Sequence, residues 1–150
     1  MKTYKSHQFS WILIIVLLPI LTGLFISYKY QLGNNPLSLV PMVILESFFL
    51  FLFLLFYRLK ISLTKSQIMI SYGIGLIKIR IQQKEIESTK LVRNHWYYGL
   101  GIRVIPNGIL YNAHGLDAVE LTFKGKRNII RISSLDCKKL KIEIDKRLSI

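Results

Sequence analysis

ESFFLFLFLLFYRLKISLTKSQIMISYGIGLIKIRI, residues 46–81, contains the change of period that divides this chain. Up to Tyr57 the apolar residues run on with Glu46 as their one acid, over a length that suits a bilayer. Beyond Tyr57 they alternate. In LIKIRI, residues 76–81, Ile77, Ile79 and Ile81 share one face while Lys78 and Arg80 take the other. A period of two marks a half-buried antiparallel strand.

Working backwards, LSLVPMVILESFFLFLFLLFY (37–57) is preceded by FSWILIIVLLPILTGLFISY (9–28), which carries no charge. Lys2 and Lys5 give the chain the basic start of a signal peptide. The apolar run exceeds the core of such a signal, however, and no small-x-small site closes it. Gly33-Asn34-Asn35-Pro36 follows, a turn leading straight to the second run. Residues 1–57 therefore read as a two-helix transmembrane hairpin, with spans at about 9–28 and 37–57. Lys2 and Lys5 on one flank and Arg58, Lys60 and Lys65 on the other outweigh Lys29 in the connector, so both termini are expected on the cytoplasmic side of a cell membrane.

Working forwards, residues 58–150 form the expected cytoplasmic domain. AVELTF (118–123) sets Val119, Leu121 and Phe123 opposite Glu120 and Thr122, and NIIRIS (128–133) puts Ile130 and Ile132 together. Residues 67–72, 100–105 and 109–113, with LKISLT (59–64) and the weaker ESTKLVR (87–93), bring the strand candidates to about eight. Gly73-Ile74-Gly75, Pro106-Asn107-Gly108 and Lys124-Gly125-Lys126 supply tight turns that accept positive φ. The chain then ends in a helix. Ser133 and Asp136 are spaced as a capping box, and Cys137, Leu140, Ile144 and Leu148 recur on one side among Lys138, Lys139, Lys141, Lys146 and Arg147. Such a stripe covers an apolar surface: the open end of the sheet, or the membrane, an option that Ile142 keeps open.

WYYGLGIR (96–103), NGILYNAHGLDAVELTFKGKRNIIRISS (107–134) and a helix containing KKL resemble the bacterial pleckstrin-homology-like domains attached to transmembrane hairpins. The resemblance covers about residues 58–148. It implies a mainly-β split barrel of about seven antiparallel strands in two curved sheets, capped by the C-terminal helix.

Charge narrows the function. The 150 residues are 51% hydrophobic yet carry +13, and 18 of the 21 cations lie beyond Tyr57 with seven acids. Close under a negative leaflet, each well-placed cation contributes on the order of 1 kcal/mol. Lys60, Lys65, Lys124, Lys126 and Arg127 are the lipid-facing candidates, with Lys78, Arg80 and Arg93 in support. Nucleic acid is an unfavoured partner, because no nucleic-acid motif accompanies the charge.

Catalysis finds little footing. The lone Cys137 has no metal-binding company, and His7, His95 and His114 share no zinc spacing. His114 and Asp117 lie near each other around a turn, which turn chemistry explains. Gly99 and Gly101 miss the dinucleotide pattern, since Val104 stands where its third glycine belongs. No enzyme and no cofactor is expected.

Two features stay open. Glu46, inside the second span, is costly as an ion. It could pin the hairpin by donating to the Ile15 carbonyl freed by Pro19 or to Thr22, meet its own copy in an oligomer, or serve an ion path. Trp96, Tyr97 and Tyr98 are either core or an exposed contact tip, with Arg103 directed to solvent or to Glu120. The leading expectation is a membrane-anchored binding or scaffold module contacting anionic lipid and a protein partner or itself. The rival is a small membrane-active protein whose hairpin and Glu46 carry ion movement or resistance to a membrane-targeting agent.

Overall fold

The computed structural model describes residues 4–113 and 115–148, so His114 and Lys2 lie outside the described residues. Strand β1 (Tyr4–Phe9) is followed by helices α1 (Trp11–Lys29) and α2 (Leu39–Phe56), then strands β2 (Arg58–Leu63), β3 (Gln67–Tyr72) and β4 (Ile77–Gln82). The second half holds β5 (Ile86–Arg93), β6 (Gly101–Ile105), β7 (Gly108–Asn112), β8 (Asp117–Phe123), β9 (Lys126–Ser133) and helix α3 (Cys137–Leu148).

Both α1 and α2 are long and apolar enough to cross a membrane. Leu17 is the buried residue of α1 and Met42 that of α2, so the apolar sides of both helices face outward from the protein. A core helix of a soluble domain would bury such a surface.

The nine strands of the described residues form two sheets, β1-β2-β3-β4 and β5-β8-β9-β7-β6. The first is an antiparallel meander whose alternation matches the sequence: Leu59, Ile61, Leu63, Ile68 and Ile70 are fully buried. They join Val119, Leu121 and Ile132 of the second sheet and Leu140 and Ile144 of α3 in one core. Burying each such side chain is worth roughly 1.5–3 kcal/mol. Helix α3 thus covers the sheets, with Ile142 on its outer side, 52% exposed. The Thr89 hydroxyl on β5 donates to the Asp145 carboxylate of α3.

Four expectations need correction. Residues 4–9, expected to belong to the hairpin segment 1–57, form a strand paired with β2, with Tyr4 opposite Leu63 and Phe9 opposite Arg58. The helical hairpin returns the chain beside its own start, which brings YKSHQF against β2. Its buried Gln8 donates through Nε2 to the Ser133 carbonyl at 2.7 Å. Secondly, the sheets are not wholly antiparallel: β7 runs parallel to β9, Gly108 facing Ile129 and Tyr111 facing Ile132. Thirdly, β1 joins the eight strands that the sequence pattern marks, so the strands outnumber the seven of the expected barrel. Fourthly, Ser133 does not cap α3, because its hydroxyl accepts the Ala113 N–H at 3.3 Å inside β9. Asp136 is the cap, its Oδ1 accepting the Lys139 N–H at 2.9 Å.

Candidate functional site

Two ties dock the strands onto the helical hairpin. Gly73, at φ +54°, sits so close to the end of α2 that an added Cβ would meet the Leu54 carbonyl oxygen at 2.0 Å. The next residue, Ile74, donates its N–H to that same carbonyl at 3.2 Å. On the other sheet, the Tyr72 hydroxyl donates to the Gly101 carbonyl at 3.1 Å, and its ring meets Phe56 edge-on at 5.8 Å. Burial pushes the Tyr72 phenol well above its ordinary range, so it remains a donor.

Gly101 (φ +89°) allows β6 to start against Phe56 at the end of α2. Between Leu100–Arg103 and the two helices lies a cavity of about 420 Å³. Its helical wall is Val16, Leu17, Ile20, Phe49, Leu52 and Phe56, and its polar edge includes Arg103 and Asn112. The Arg103 Nε donates to the Leu100 carbonyl at 3.0 Å, which orients the guanidinium. Glu120 is not its partner, since that carboxylate binds Arg131 at 2.8 Å. Asn112 donates Nδ2 to the Gly99 carbonyl at 2.8 Å, while its buried Oδ1 has no partner among the described residues.

Trp96–Tyr98 form one 3₁₀ turn and are not core. Trp96 is 80% exposed and Tyr97 62%, although His95 stacks on Tyr97 at 5.0 Å and Tyr97 meets Tyr98 at 4.9 Å. The turn lies at the end of the second sheet nearest the helices. Arg93 pairs with Asp117 and Ala118 with Ser133, whose carbonyl is held by Gln8, two residues before Ser10, which immediately precedes α1. Val104, 88% exposed, continues an apolar surface beyond Ile102.

The basic candidates are not gathered on one face. Lys60 lies near the start of β2, beside the helices, whereas Lys65 follows the far end of that strand, roughly 20 Å along. Lys124 and Lys126 also lie at the far end, where the Lys124 N–H reaches the Glu85 carbonyl and Lys126 pairs with Glu85 at 3.2 Å. Arg127 follows them at the start of β9. Lys65, Lys84 and Lys124 share an open cleft of about 440 Å³ there.

Glu46 is half-buried in α2 and makes no hydrogen bond or ion pair among the described residues. Thr22 is not its partner. That hydroxyl donates back to the Leu18 and Pro19 carbonyls of its own helix, at 2.9 and 3.1 Å. Cys137 is buried, its thiol donating to the Ser134 carbonyl at 3.1 Å, and burial raises its pKa.

Comparison with known protein families, with curated proteins and with solved structures finds no match.

Proposed function

We propose that this chain is a membrane-anchored binding module. In this reading α1 and α2 cross the bilayer as a hairpin, and a pleckstrin-homology-like β domain lies against the cytoplasmic leaflet. Its ligand is a protein partner or a second copy, held beside anionic lipid. The observation that carries the reading is the exposure of Trp96 and Tyr97 on a turn braced at the helix-proximal end of the second sheet. Large aromatics left in solvent are expensive unless something covers them, and they supply much of the binding energy at interfaces. A photo-reactive residue at position 96 of the full chain in native membranes tests this. A discrete cross-linked product, at the mass of a dimer or of one partner, is expected. An uncross-linked chain, or one washed from the membrane by alkali, defeats the proposal.

A second reading draws on Glu46, whose carboxyl, in an apolar helix, has no partner among the described residues. A carboxylic acid in that setting is stabilised by meeting its own copy, or it serves an ion path through assembled hairpins. Glu46→Gln separates these. Lost assembly supports the self-contact, whereas retained assembly with lost ion flux supports the membrane-active protein.

A further inference from the structure

We infer that the cavity between the two helices and the start of β6 is a binding site for one anionic glycerophospholipid. The inference rests on the reading that α1 and α2 span a bilayer, and it names a ligand for that junction.

The cavity has two chemically distinct parts. Its helical wall runs along α2 from Phe56 back to Phe49 and along the neighbouring α1 as far as Ile20. Ile20 lies nine residues into α1, roughly 14 Å along the helix from Trp11. A wall of that depth, wholly apolar, suits an acyl chain and offers water nothing. At the other end stands Arg103, with no carboxylate among the residues around the cavity. Its Nε is occupied by the Leu100 carbonyl, which leaves the terminal nitrogens to meet a phosphate in the paired geometry that guanidinium favours.

A volume of about 420 Å³ is that of a small-ligand site, roughly 300–1,000 Å³, and takes the headgroup and the first part of one acyl chain while the rest of the lipid stays in the leaflet. The site is open on one side, as it must be for a lipid that enters laterally from the leaflet. A free anion would use Arg103 alone and make no contact with the apolar wall. The lipid uses both parts, and for that reason we assign the site to it.

The full chain, purified in detergent and stripped of lipid, is to be titrated with phosphatidylglycerol or phosphatidylcholine and observed by native mass spectrometry. One phosphatidylglycerol per chain is expected at ratios where phosphatidylcholine is not retained. Arg103→Gln should reduce retention about tenfold, the value of one charged hydrogen bond. Ile20→Trp, which fills the apolar wall but spares Arg103, should reduce it comparably. Equal retention of the two lipids, or indifference to either substitution, overturns the inference. So does displacement of the lipid by glycerol phosphate at equal concentration, which would make the site one for a soluble anion. A chain found in the soluble fraction overturns the membrane reading as well, whereas a membrane-integrated chain that retains no lipid overturns the inference alone.

Discussion

The Tyr72 hydroxyl donates to the Gly101 carbonyl at 3.1 Å, joining the last residue of β3 to the first of β6 across the two sheets. The Asn112 carbonyl lies 3.4 Å from the same hydroxyl, so a single side chain holds both strands of the second sheet's edge hairpin to the first sheet. Tyr72→Phe should retain the ring contact with Phe56 and cost about 1 kcal/mol, the net worth of a hydrogen bond. Tyr72→Ala, which also empties the core, should cost about 3–5 kcal/mol. Thermal melting of the detergent-solubilised chain distinguishes them. A phenylalanine variant as damaged as the alanine one would show that the hydroxyl, not the ring, bears the junction.

Gly73 and Gly125 both have positive φ, +54° and +66°, but only one is crowded. Gly125→Ala meets no atom within 4 Å and should cost about 1 kcal/mol of backbone strain. Gly73→Ala drives a methyl into the Leu54 carbonyl, so the β3–β4 turn must leave the end of α2. Expressed chain that melts far below the Gly125 variant is the expected result. Equal melting temperatures would refute the docking of that turn on the helix.

Arg131 binds Glu120 through Nε and Asn94 Oδ1 through Nη1 at 3.2 Å, between neighbouring strands of the second sheet. The pair is mostly but not wholly shielded from water, so a single substitution should cost about 1–3 kcal/mol by stranding the other charge. Glu120→Gln combined with Arg131→Met should cost less than the sum of the two single changes. A double-mutant cycle with no coupling would contradict the pairing.

Alkali should loosen the core by a definite route. Burial raises the pKa of both Tyr72 and Cys137 above their ordinary values of 10.0 and 9.0. Each therefore stays protonated in the folded chain after it has ionised in the unfolded one. The stability they contribute is complete below pH 9 and declines as the pH rises through and beyond those ordinary values. The melting temperature should fall above pH 9, less steeply when Tyr72→Phe and Cys137→Ala are combined. For the same reason Cys137 should alkylate slowly at neutral pH until the chain is denatured. Rapid labelling of the native protein would show that the thiol is accessible.

Much of the architecture was legible from local pattern. The period of two in LKISLT, LIKIRI and AVELTF marks strands because one face of each is buried, and those faces meet in the core. The stripe of Cys137, Leu140, Ile144 and Leu148 marks a helix lying on an apolar surface, which is the end of the sheets. β1 was not legible, since YKSHQF has no apolar alternation and is paired through backbone bonds and a buried glutamine. Ser133 looks like a cap because capping preference is shared by neighbouring residues, but at the end of β9 its hydroxyl accepts the Ala113 N–H and Asp136 caps the helix instead.

At the candidate site the residue types were visible and their company was not. Composition and the two long apolar runs by themselves determined that two helices suit a bilayer and that a basic β region follows, because hydrophobicity and period are properties of neighbouring residues. Only the tertiary structure decided that Trp96 and Tyr97 stand in solvent and that β7 lies parallel to β9. Arg103 likewise shares a cavity with Ile20, 83 positions away in the chain. Such contacts arise from strand direction and from the return of the helical hairpin, and no local pattern encodes either.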